Sequence, residues 1–224
     1  MGAGYIIDDL GWKGIRLHHL VNPKMIEGII SLIKDYFGKR YEGHSTGSAN
    51  TDADGESGNL TSPNLESTLT CYDIGCGDGR VCIAVSKACP WINSVGIEIE
   101  ESLAERMEEN IKVYEGNGVG GRVSVIHDDL RDASVSADMK QTANIILCYL
   151  LPESIEEIKQ LLIDCLLRSD SDSDDCIIIC NTWGIKDSDI KPISRTSCGC
   201  NNNTTLSLYD KSSIASDSNY RKKL

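Results

Sequence analysis

The chain has 224 residues, of which 40% are hydrophobic, and this is enough for one α/β domain with a core of its own. No run of about 18 apolar residues occurs, so the sequence predicts no membrane-spanning helix. The net charge of −12 repels phosphate backbones, which disfavours nucleic acid as a substrate and favours a basic partner.

The cysteines bear on metal binding and on compartment. The chain has ten, and most stand singly inside apolar runs, where a free cysteine behaves as a small hydrophobe. No CxxC pair occurs, and the one CxC pair, Cys198 and Cys200, falls in a predicted polar loop. We therefore expect no metal site and a reducing compartment.

Residues 1–14 have the form of neither a signal peptide nor a transit peptide, so we expect a cytoplasmic location.

The first 68 residues predict a helical cap followed by an insertion. Within residues 1–41, Asn22 is a suitable N-cap, Pro23 suits a first turn, and apolar residues recur at helical spacing, which predicts a helix over residues 22–37. Its apolar face is expected to cover the sheet edge near a ligand crevice. Residues 42–68 are rich in Gly, Ser, Thr, Asn and Asp, which predicts a flexible low-complexity insertion.

The predicted core, residues 69–210, is organised around the sequence CYDIGCGDGR. An apolar run predicts a strand over residues 69–74, and a helix is predicted over residues 78–89, before Pro90. The turn between them carries three glycines at alternate positions: Gly75, Gly77 and Gly79. Glycine lets a backbone approach a ligand closely, and the free N–H groups of the first helical turn face that ligand.

The spacing of these glycines separates two kinds of nucleotide site. The dinucleotide fingerprint G-x-G-x-x-G needs its third glycine one position later, where this chain has Arg80. The pattern here, with Asp73 two residues before the first glycine, instead resembles motif I of the class I S-adenosylmethionine (SAM) methyltransferases. The resemblance implies SAM as cofactor, with Asp73, Asp78 and the three glycines among its contacts. The alternative is a structural glycine turn that binds nothing.

An acidic residue, Glu98, lies near the carboxyl end of the second predicted strand. Residues 94–99 predict the second strand, and Glu98 lies 21 residues beyond Gly77, close to the roughly 20-residue offset at which a carboxylate reaches ribose hydroxyls. An ordinary surface glutamate is the alternative, although Glu100 and Glu101 suit that description better. Residues 123–126 predict the third strand.

The sequence HDDL follows that third strand. In SAM methyltransferases an acidic residue at this place commonly accepts the adenine amino group, so the resemblance implies Asp128 or Asp129 as the adenine contact, with Leu130 beside them. The sequence does not decide between the two aspartates. A single histidine at a strand end, His127, is expected to be structural.

The remaining elements complete an α/β pattern. The runs ANIILCYL (143–150) and CIIICNT (176–182) predict the fourth and fifth strands, the first being apolar enough for burial on both faces. Pro152 opens a predicted helix between them. Residues 204–209 predict a last strand or hairpin arm, and the polar tail, residues 211–224, is expected to fray. Five predicted strands alternating with helices give a parallel, doubly wound sheet. The resemblance to the class I methyltransferases implies that it is their Rossmann-like, seven-strand sheet with helices on both faces.

Four stretches resemble one family in particular. YDIGCGDGRV, VGIEIEESLAERMEEN, HDDL with ANIILCYLLPE, and CIIICNTWGIKD together are similar to the lysine methyltransferases of the ATP synthase c-subunit and the adenine nucleotide translocase. The family has a Val-Pro-Thr type motif before its N-terminal helix, where this chain has LVNPKM. Its mitochondrial members also carry an apolar N-terminal segment that this chain lacks. The family resemblance nevertheless leaves a mitochondrial location as the alternative to the cytoplasmic one.

The resemblance implies a protein-lysine N-methyltransferase acting on a basic protein. Tyr149 and Trp183, at the ends of strands four and five, are then the predicted catalytic residues, and with Leu151 and Pro152 they would line an apolar channel that desolvates the acceptor amine. For Tyr149, a core aromatic that covers the strand end is the alternative. A small-molecule N- or O-methyltransferase and a non-catalytic SAM-fold binding protein remain alternatives for the whole chain.

Overall fold

The computed structural model describes residues 5–7, 13–15, 23–41, 68–114, 119–168, 175–198, 204–216 and 218–221. Apart from residue 68, the predicted insertion at 42–68 lies outside these residues. The predicted N-terminal helix is present and extends to Tyr41, four residues beyond its predicted end.

Helices and strands alternate through most of the described chain. The five helices are α1 Pro23–Tyr41, α2 Arg80–Ala88, α3 Glu101–Tyr114, α4 Ala133–Thr142 and α5 Pro152–Leu166. The nine strands are β1 Tyr5–Ile7, β2 Lys13–Ile15, β3 Leu69–Ile74, β4 Ile92–Glu98, β5 Val123–His127, β6 Ile145–Cys148, β7 Ile177–Asn181, β8 Ser194–Cys198 and β9 Thr204–Tyr209.

Seven of these strands form one mixed sheet in the order β5-β4-β3-β6-β7-β9-β8. The first five are parallel, and β9 runs antiparallel to both β7 and β8. The predicted last strand is therefore the arm of an edge hairpin. β1 and β2 form a separate antiparallel pair within the region predicted as a helical cap.

The two central strands are buried on both faces. Every residue of β6 and β7 is buried, as expected for parallel strands covered by helices on each side. On one face the alternate strand residues pack against α1 and α2, and on the other against α4 and α5. This arrangement brings the carboxyl ends of β3, β4, β6 and β7 to one edge, where ligands of doubly wound sheets bind.

Helix α1 packs across a face of the sheet and not only along its edge. Its buried residues Met25, Ile29, Ile33 and Phe37 recur every fourth position and form one stripe. This stripe belongs to one buried cluster with residues of β3, β6, β7, β8 and β9. The face predicted to lie over a crevice therefore does reach the carboxyl edge of the sheet, through the first turns of the helix.

Some elements begin elsewhere than predicted, for physical reasons. Helix α2 starts at Arg80 and not at residue 78, because Gly79 has φ 74° and left-handed backbone cannot continue into a helix. Helix α4 and strand β8 were not predicted, since α4 has a weak apolar stripe and β8 is a mostly exposed edge strand. Cys198 is the buried last residue of β8, so its predicted place in a polar loop is wrong.

The polar tail packs onto the domain as far as residue 221. A 3-10 helix spans Lys211–Ser213, Ile214 bridges to Ile190, and the Tyr220 hydroxyl donates to Asp187 Oδ2 at 2.7 Å. The expectation that this tail frays is therefore wrong for its described residues. Composition alone missed these contacts because a few buried groups anchor an otherwise polar segment.

In the described part of the chain, no helix is long and apolar enough to cross a membrane. The same residues contain no group of three or more histidine, cysteine, aspartate or glutamate side chains that could hold a metal ion. The nine cysteines among them are all buried, and none forms a disulfide.

Candidate functional site

The glycine turn between β3 and α2 is shaped by left-handed backbone. Gly75, Gly77 and Gly79 have φ of 75°, 58° and 74°. A Cβ on Gly79 would lie 2.4 Å from Cγ of Met107, and one on Gly75 would lie 3.0 Å from Leu150. The left-handed backbone therefore favours glycine at both positions, and packing against Met107 also requires it at Gly79. The chain thus presents bare peptide groups at the carboxyl edge of the sheet.

Glu98 ties this turn to the end of β4. Its Oε2 accepts a hydrogen bond from the Gly77 amide at 2.8 Å, and its Oε1 accepts from the amides of Ile99 and Glu100 at 3.0 Å each. The side chain is buried, so Glu98 is not the ordinary surface glutamate of the alternative interpretation. Three amide donors fix its carboxylate beside the turn, and the predicted ribose contact stays a prediction.

Asp73 is a buried carboxyl at the end of β3. Burial raises the pKa of Asp73 to about 7, a hydrogen bond from the Cys82 thiol lowers it, and the nearby charges of Glu98 and Asp78 raise it further. The thiol lies 3.7 Å from Oδ2, which makes it a weak donor. A buried carboxylate among like charges is costly without a cation or strong donors, so the position favours a cationic ligand group.

Asp78 lies in the same turn, one residue before Gly79, and is held by Arg80. The Arg80 Nε donates to Asp78 Oδ1 at 2.8 Å, and the fork of two nitrogens engages both carboxylate oxygens. The pKa of Arg80 is raised, first by this hydrogen bond. The backbone carbonyl of Asp78 accepts from Asn110 at 2.9 Å, which joins the turn to α3. Asp78 and Arg80 both line the crevice described below.

The loop after β5 brings the second acidic pair next to β4. The Asp128 amide donates to the backbone carbonyl of Glu98 at 3.1 Å, which fixes the loop beside the end of β4. The Asp129 carboxylate is engaged by the Arg131 guanidinium, with Nε to Oδ1 at 2.9 Å, and this hydrogen bond is the main cause of the lowered pKa of Asp129. Asp128 accepts from the Asp129 amide at 2.7 Å. Leu130 is half-buried against the core.

The sequence did not decide between Asp128 and Asp129 as the predicted adenine contact, and the two differ in this loop. Because the Arg131 guanidinium already engages both carboxylate oxygens of Asp129, those oxygens are less available to a ligand than the oxygens of Asp128. Among the residues that the structure describes, no arginine side chain hydrogen-bonds Asp128, and Asp128 raises the pKa of Asp132 through a shared hydrogen bond. His127 is exposed, and its Nε2 lies 3.3 Å from the Ile99 carbonyl oxygen, so it takes no place in the crevice lining.

A partly open crevice at this edge has a cavity volume of about 40 Å³, which is room for a few water-sized groups. Its walls come from α1, the glycine turn, the start of α2 and the ends of β3, β6 and β7. They are Met25, Ile29, Asp73, Gly75, Cys76, Asp78, Arg80, Val81, Leu147, Cys148, Tyr149 and Ile179. The structure thus brings the predicted cofactor residues Asp73, Gly75 and Asp78 into one space with the predicted catalytic residue Tyr149.

Tyr149 and Trp183 lie side by side although they are 34 positions apart in the chain. Their ring centroids are 6.3 Å apart and their planes meet at 24°. Both side chains are half-buried, and burial raises the pKa of Tyr149. Tyr149 is therefore not a fully buried core aromatic, because it lines the crevice and stacks on a second aromatic ring.

Sequence reasoning missed two features of this site. Ile99, directly after Glu98, is 56% exposed and presents an apolar side chain at the end of β4. Thr182 has left-handed backbone directly after β7. The lining residues Met25 and Ile29 belong to the apolar face of α1 that was expected to lie near a crevice. The position of Ile99 at the end of a predicted strand could have indicated an exposed apolar side chain. No sequence pattern predicted the left-handed backbone of Thr182.

Residues 67–137 match the family model described as "Putative methyltransferase". The chain is 34% identical over 91 residues to a protein-lysine N-methyltransferase of Saccharolobus islandicus, covering 41% of this chain and 52% of that protein. The chain therefore spans about half the length of the curated relative it matches.

Two solved structures are similar in fold. One is an RNA methyltransferase from Salinibacter ruber in complex with S-adenosyl-L-homocysteine, with a TM-score of 0.51 and 23% identity over 67% of this chain and 83% of that one. The other is the human methyltransferase 10 domain containing protein, with a TM-score of 0.54 and 12% identity over 85% of this chain and 84% of that one. The predicted Rossmann-like, seven-strand class I methyltransferase fold is confirmed.

Proposed function

We propose that this protein is a SAM-dependent methyltransferase that methylates a lysine amine of a protein. The observation that carries the proposal is the left-handed glycine turn, which lies between the buried carboxyls of Asp73 and Glu98 in a class I sheet. The family match supports methyl transfer, and the name of the curated relative supports lysine as acceptor. The net charge of −12 supports a basic protein partner over nucleic acid.

The residues present fit the two ends of SAM. At the methionine end, the Asp73 carboxylate lacks a strong donor and would take the ammonium group, while the bare peptides of the glycine turn allow close approach. Glu98 would accept from the ribose hydroxyls with oxygens that three amides already orient. Bound there, SAM supplies an electrophilic methyl group.

The adenine end would lie against the loop after β5. Asp128 is the better acceptor for the adenine amino group because Arg131 engages Asp129. Ile99 is exposed and Leu130 is half-buried, so the two offer apolar contact to the faces of a base. Asp128 and Glu98 are joined through backbone, so adenine and ribose would be held by one unit.

On the acceptor side, Tyr149 and Trp183 desolvate the amine. With a reference pKa near 10.4, only about one lysine in 2,500 is neutral at pH 7, and removal of water disfavours the charged form. The Tyr149 ring and hydroxyl can orient the amine by its face or by a hydrogen bond. Methyl transfer is an in-line displacement, so the remaining task of these residues is to align the amine about 3 Å from the methyl carbon.

Two measurements test the proposal. Calorimetric titration of the purified protein with SAM should show saturable binding, and Glu98→Gln should weaken it while Glu105→Gln, on the exposed face of α3, should not. Incubation with methyl-tritiated SAM and a cell lysate should then place label on lysine in protein. Label confined to small molecules would favour the small-molecule alternative. Binding without any transfer would favour a non-catalytic protein, and no binding at millimolar SAM would refute the proposal.

A further inference from the structure

The segment after β7 carries Trp183 away from the strand and then folds back along the sheet. Tyr209, on β9, pairs with Ile178, which lies three residues before the end of β7. The hydroxyl of the same Tyr209 accepts a hydrogen bond from the amide of Ile185, four residues beyond that end, at 3.1 Å. The chain therefore turns back between Asn181 and Ile185, and Trp183 lies midway along this turn.

Strand β9 anchors the main chain on both sides of Trp183. Before the tryptophan, the Thr182 amide donates to the backbone carbonyl of Thr205 at 2.8 Å. After it, the Ile185 amide donates to the Tyr209 hydroxyl. Two anchors only three residues apart leave the backbone of Trp183 little freedom, so β9 limits where the indole ring can lie.

The Tyr209 hydroxyl is itself held in place by packing. The side chain is 1% exposed and belongs to the largest buried cluster of the domain, together with Ile185. Burial raises the pKa of Tyr209 to about 12, so the phenol is protonated and neutral at pH 7. A fixed, neutral hydroxyl is a suitable partner for a buried backbone amide.

Gly184 shows how closely this hydroxyl approaches the main chain. A Cβ on Gly184 would lie 2.3 Å from the hydroxyl oxygen of Tyr209 but 3.5 Å from its Cζ, which is an ordinary contact distance. The clash would therefore come from the oxygen, which cannot move without losing its hydrogen bond to Ile185. Gly184 is not among the glycines with positive φ, so close approach to this oxygen is the reason for glycine here.

The indole ring held in this way faces the crevice residue Tyr149. The two ring centroids are 6.3 Å apart, and the ring planes meet at 24°. An in-line displacement tolerates little misplacement, since a shift of about 1 Å can cost roughly 100-fold in rate. Tyr209 does not belong to the crevice lining, but through Trp183 it can affect methyl transfer.

We propose that Tyr209 is a positioning residue, whose buried hydroxyl holds the peptide between Gly184 and Ile185 and so keeps Trp183 against Tyr149, where the two rings receive the acceptor amine. This inference rests on the proposed function. It concerns a residue that the family match, which ends at residue 137, does not reach. Tyr209 acts through Trp183 and does not touch the reacting atoms.

The first test needs no substrate and measures the contact between Gly184 and Tyr209. In the wild-type background, Gly184→Ala should lower the urea midpoint of unfolding by about 0.5 M or more, because the new Cβ meets the hydroxyl oxygen. In the Tyr209→Phe background the same substitution should change the midpoint little, because the nearest ring atom is then at 3.5 Å. Equal losses in the two backgrounds would overturn the inference.

The second test separates methyl transfer from cofactor binding. Tyr209→Phe removes only the hydroxyl and keeps the ring, so the variant should fold. Calorimetry should give the wild-type affinity for SAM. The initial rate of label transfer from methyl-tritiated SAM into lysate protein, at saturating SAM, should fall about 10-fold to 100-fold. Gly184→Ala displaces the same hydroxyl from the opposite side and should also lower this rate at unchanged SAM affinity.

Tyr72→Phe is the matched control for this loss of rate. It also removes the hydroxyl of a buried tyrosine, one that contacts Asp138 and Thr142 on α4 at 2.6 Å and 2.8 Å. The control should lower the urea midpoint of unfolding but leave the transfer rate within about twofold of the wild type. A wild-type rate in Tyr209→Phe would overturn the inference. Equal losses of rate in Tyr209→Phe and Tyr72→Phe would do the same, because they would reflect general destabilisation.

The third test observes Trp183 directly. In protein labelled with 5-fluorotryptophan, the ¹⁹F resonance that disappears in Trp183→Phe reports Trp183. This resonance should shift or broaden in Tyr209→Phe and keep its position in Tyr72→Phe, and an unchanged resonance in Tyr209→Phe would contradict the positioning role. If the wild-type protein transfers no label, the proposed function fails, and the unfolding midpoints and the ¹⁹F spectrum still decide whether Tyr209 positions Trp183.

Discussion

Asp73→Asn should make the protein more stable and a poorer binder of SAM at neutral and higher pH. The substitution keeps the shape of the side chain and removes its charge. Raising the pKa of Asp73 from 3.8 to about 7 disfavours the ionised form in the folded protein by about 4 kcal/mol. The main cause is burial, and the charges of Glu98 and Asp78 add to it.

The sign of the pH dependence follows from which state binds the proton. Between pH 3.8 and pH 7 the folded protein holds a proton on Asp73 that the unfolded chain has lost. This carboxyl therefore contributes stability that is complete below pH 3.8 and is lost as the pH rises through about 7. An asparagine is neutral throughout, so the variant should match the wild type near pH 4 and exceed it at pH 8 by up to about 4 kcal/mol.

Binding should change in the opposite direction. If the ionised Asp73 takes the ammonium group of SAM, its loss costs about 1.5 to 3 kcal/mol, which is roughly a 10-fold to 150-fold weaker affinity. The affinity of the wild type should fall as the pH drops from 7.5 to 5.5, because the carboxyl must lose its proton first (pKa about 7). The variant should lack this dependence.

Urea unfolding and calorimetry at several pH values measure both effects. Glu105→Gln, which removes an exposed carboxylate of α3, is the matched control and should leave both unchanged. Equal unfolding free energies of Asp73→Asn and wild type at pH 8 would refute the raised pKa. Wild-type SAM affinity in the variant would refute the ammonium contact while leaving the fold intact.

Three further results are expected. Glu98→Ala should weaken SAM binding by roughly 1.5 to 3 kcal/mol in calorimetry. It should also lower the urea midpoint of unfolding, since it leaves the amides of Gly77, Ile99 and Glu100 without their acceptor. Unchanged SAM affinity in a folded variant would contradict the predicted ribose contact. Asp128→Asn should weaken SAM binding more than Asp129→Asn does, and the reverse order would reassign the adenine contact. Gly79→Ala should lower the free energy of unfolding by about 2 to 4 kcal/mol, because a Cβ strains the left-handed backbone and meets the side chain of α3 at 2.4 Å.

Local sequence predicted much of the fold because the signals were local. Apolar runs of strand length predicted β3, β6 and β7, and alternation of apolar residues predicted β9. Helical spacing with a proline at the start predicted α1 and α5. The edge strand β8 was not predicted because its residues are mostly exposed and polar, so it has no apolar pattern. The packing of the tail was not predicted for a similar reason, since it depends on a few contacts such as that of Tyr220 with Asp187.

By itself, the sequence determined the strand, turn and helix around the three glycines, because glycine spacing limits which backbone conformations a chain adopts. It also indicated Asp73, two residues before Gly75, and Glu98, 21 residues beyond Gly77, as residues of that site. The preference for Asp128 over Asp129 as adenine contact stays a prediction, and it rests on tertiary structure because it depends on where the Arg131 side chain lies. Likewise, the stacking of Tyr149 on Trp183 arises from pairing between β6 and β7, and such contacts between distant positions are fixed by packing and not by local pattern.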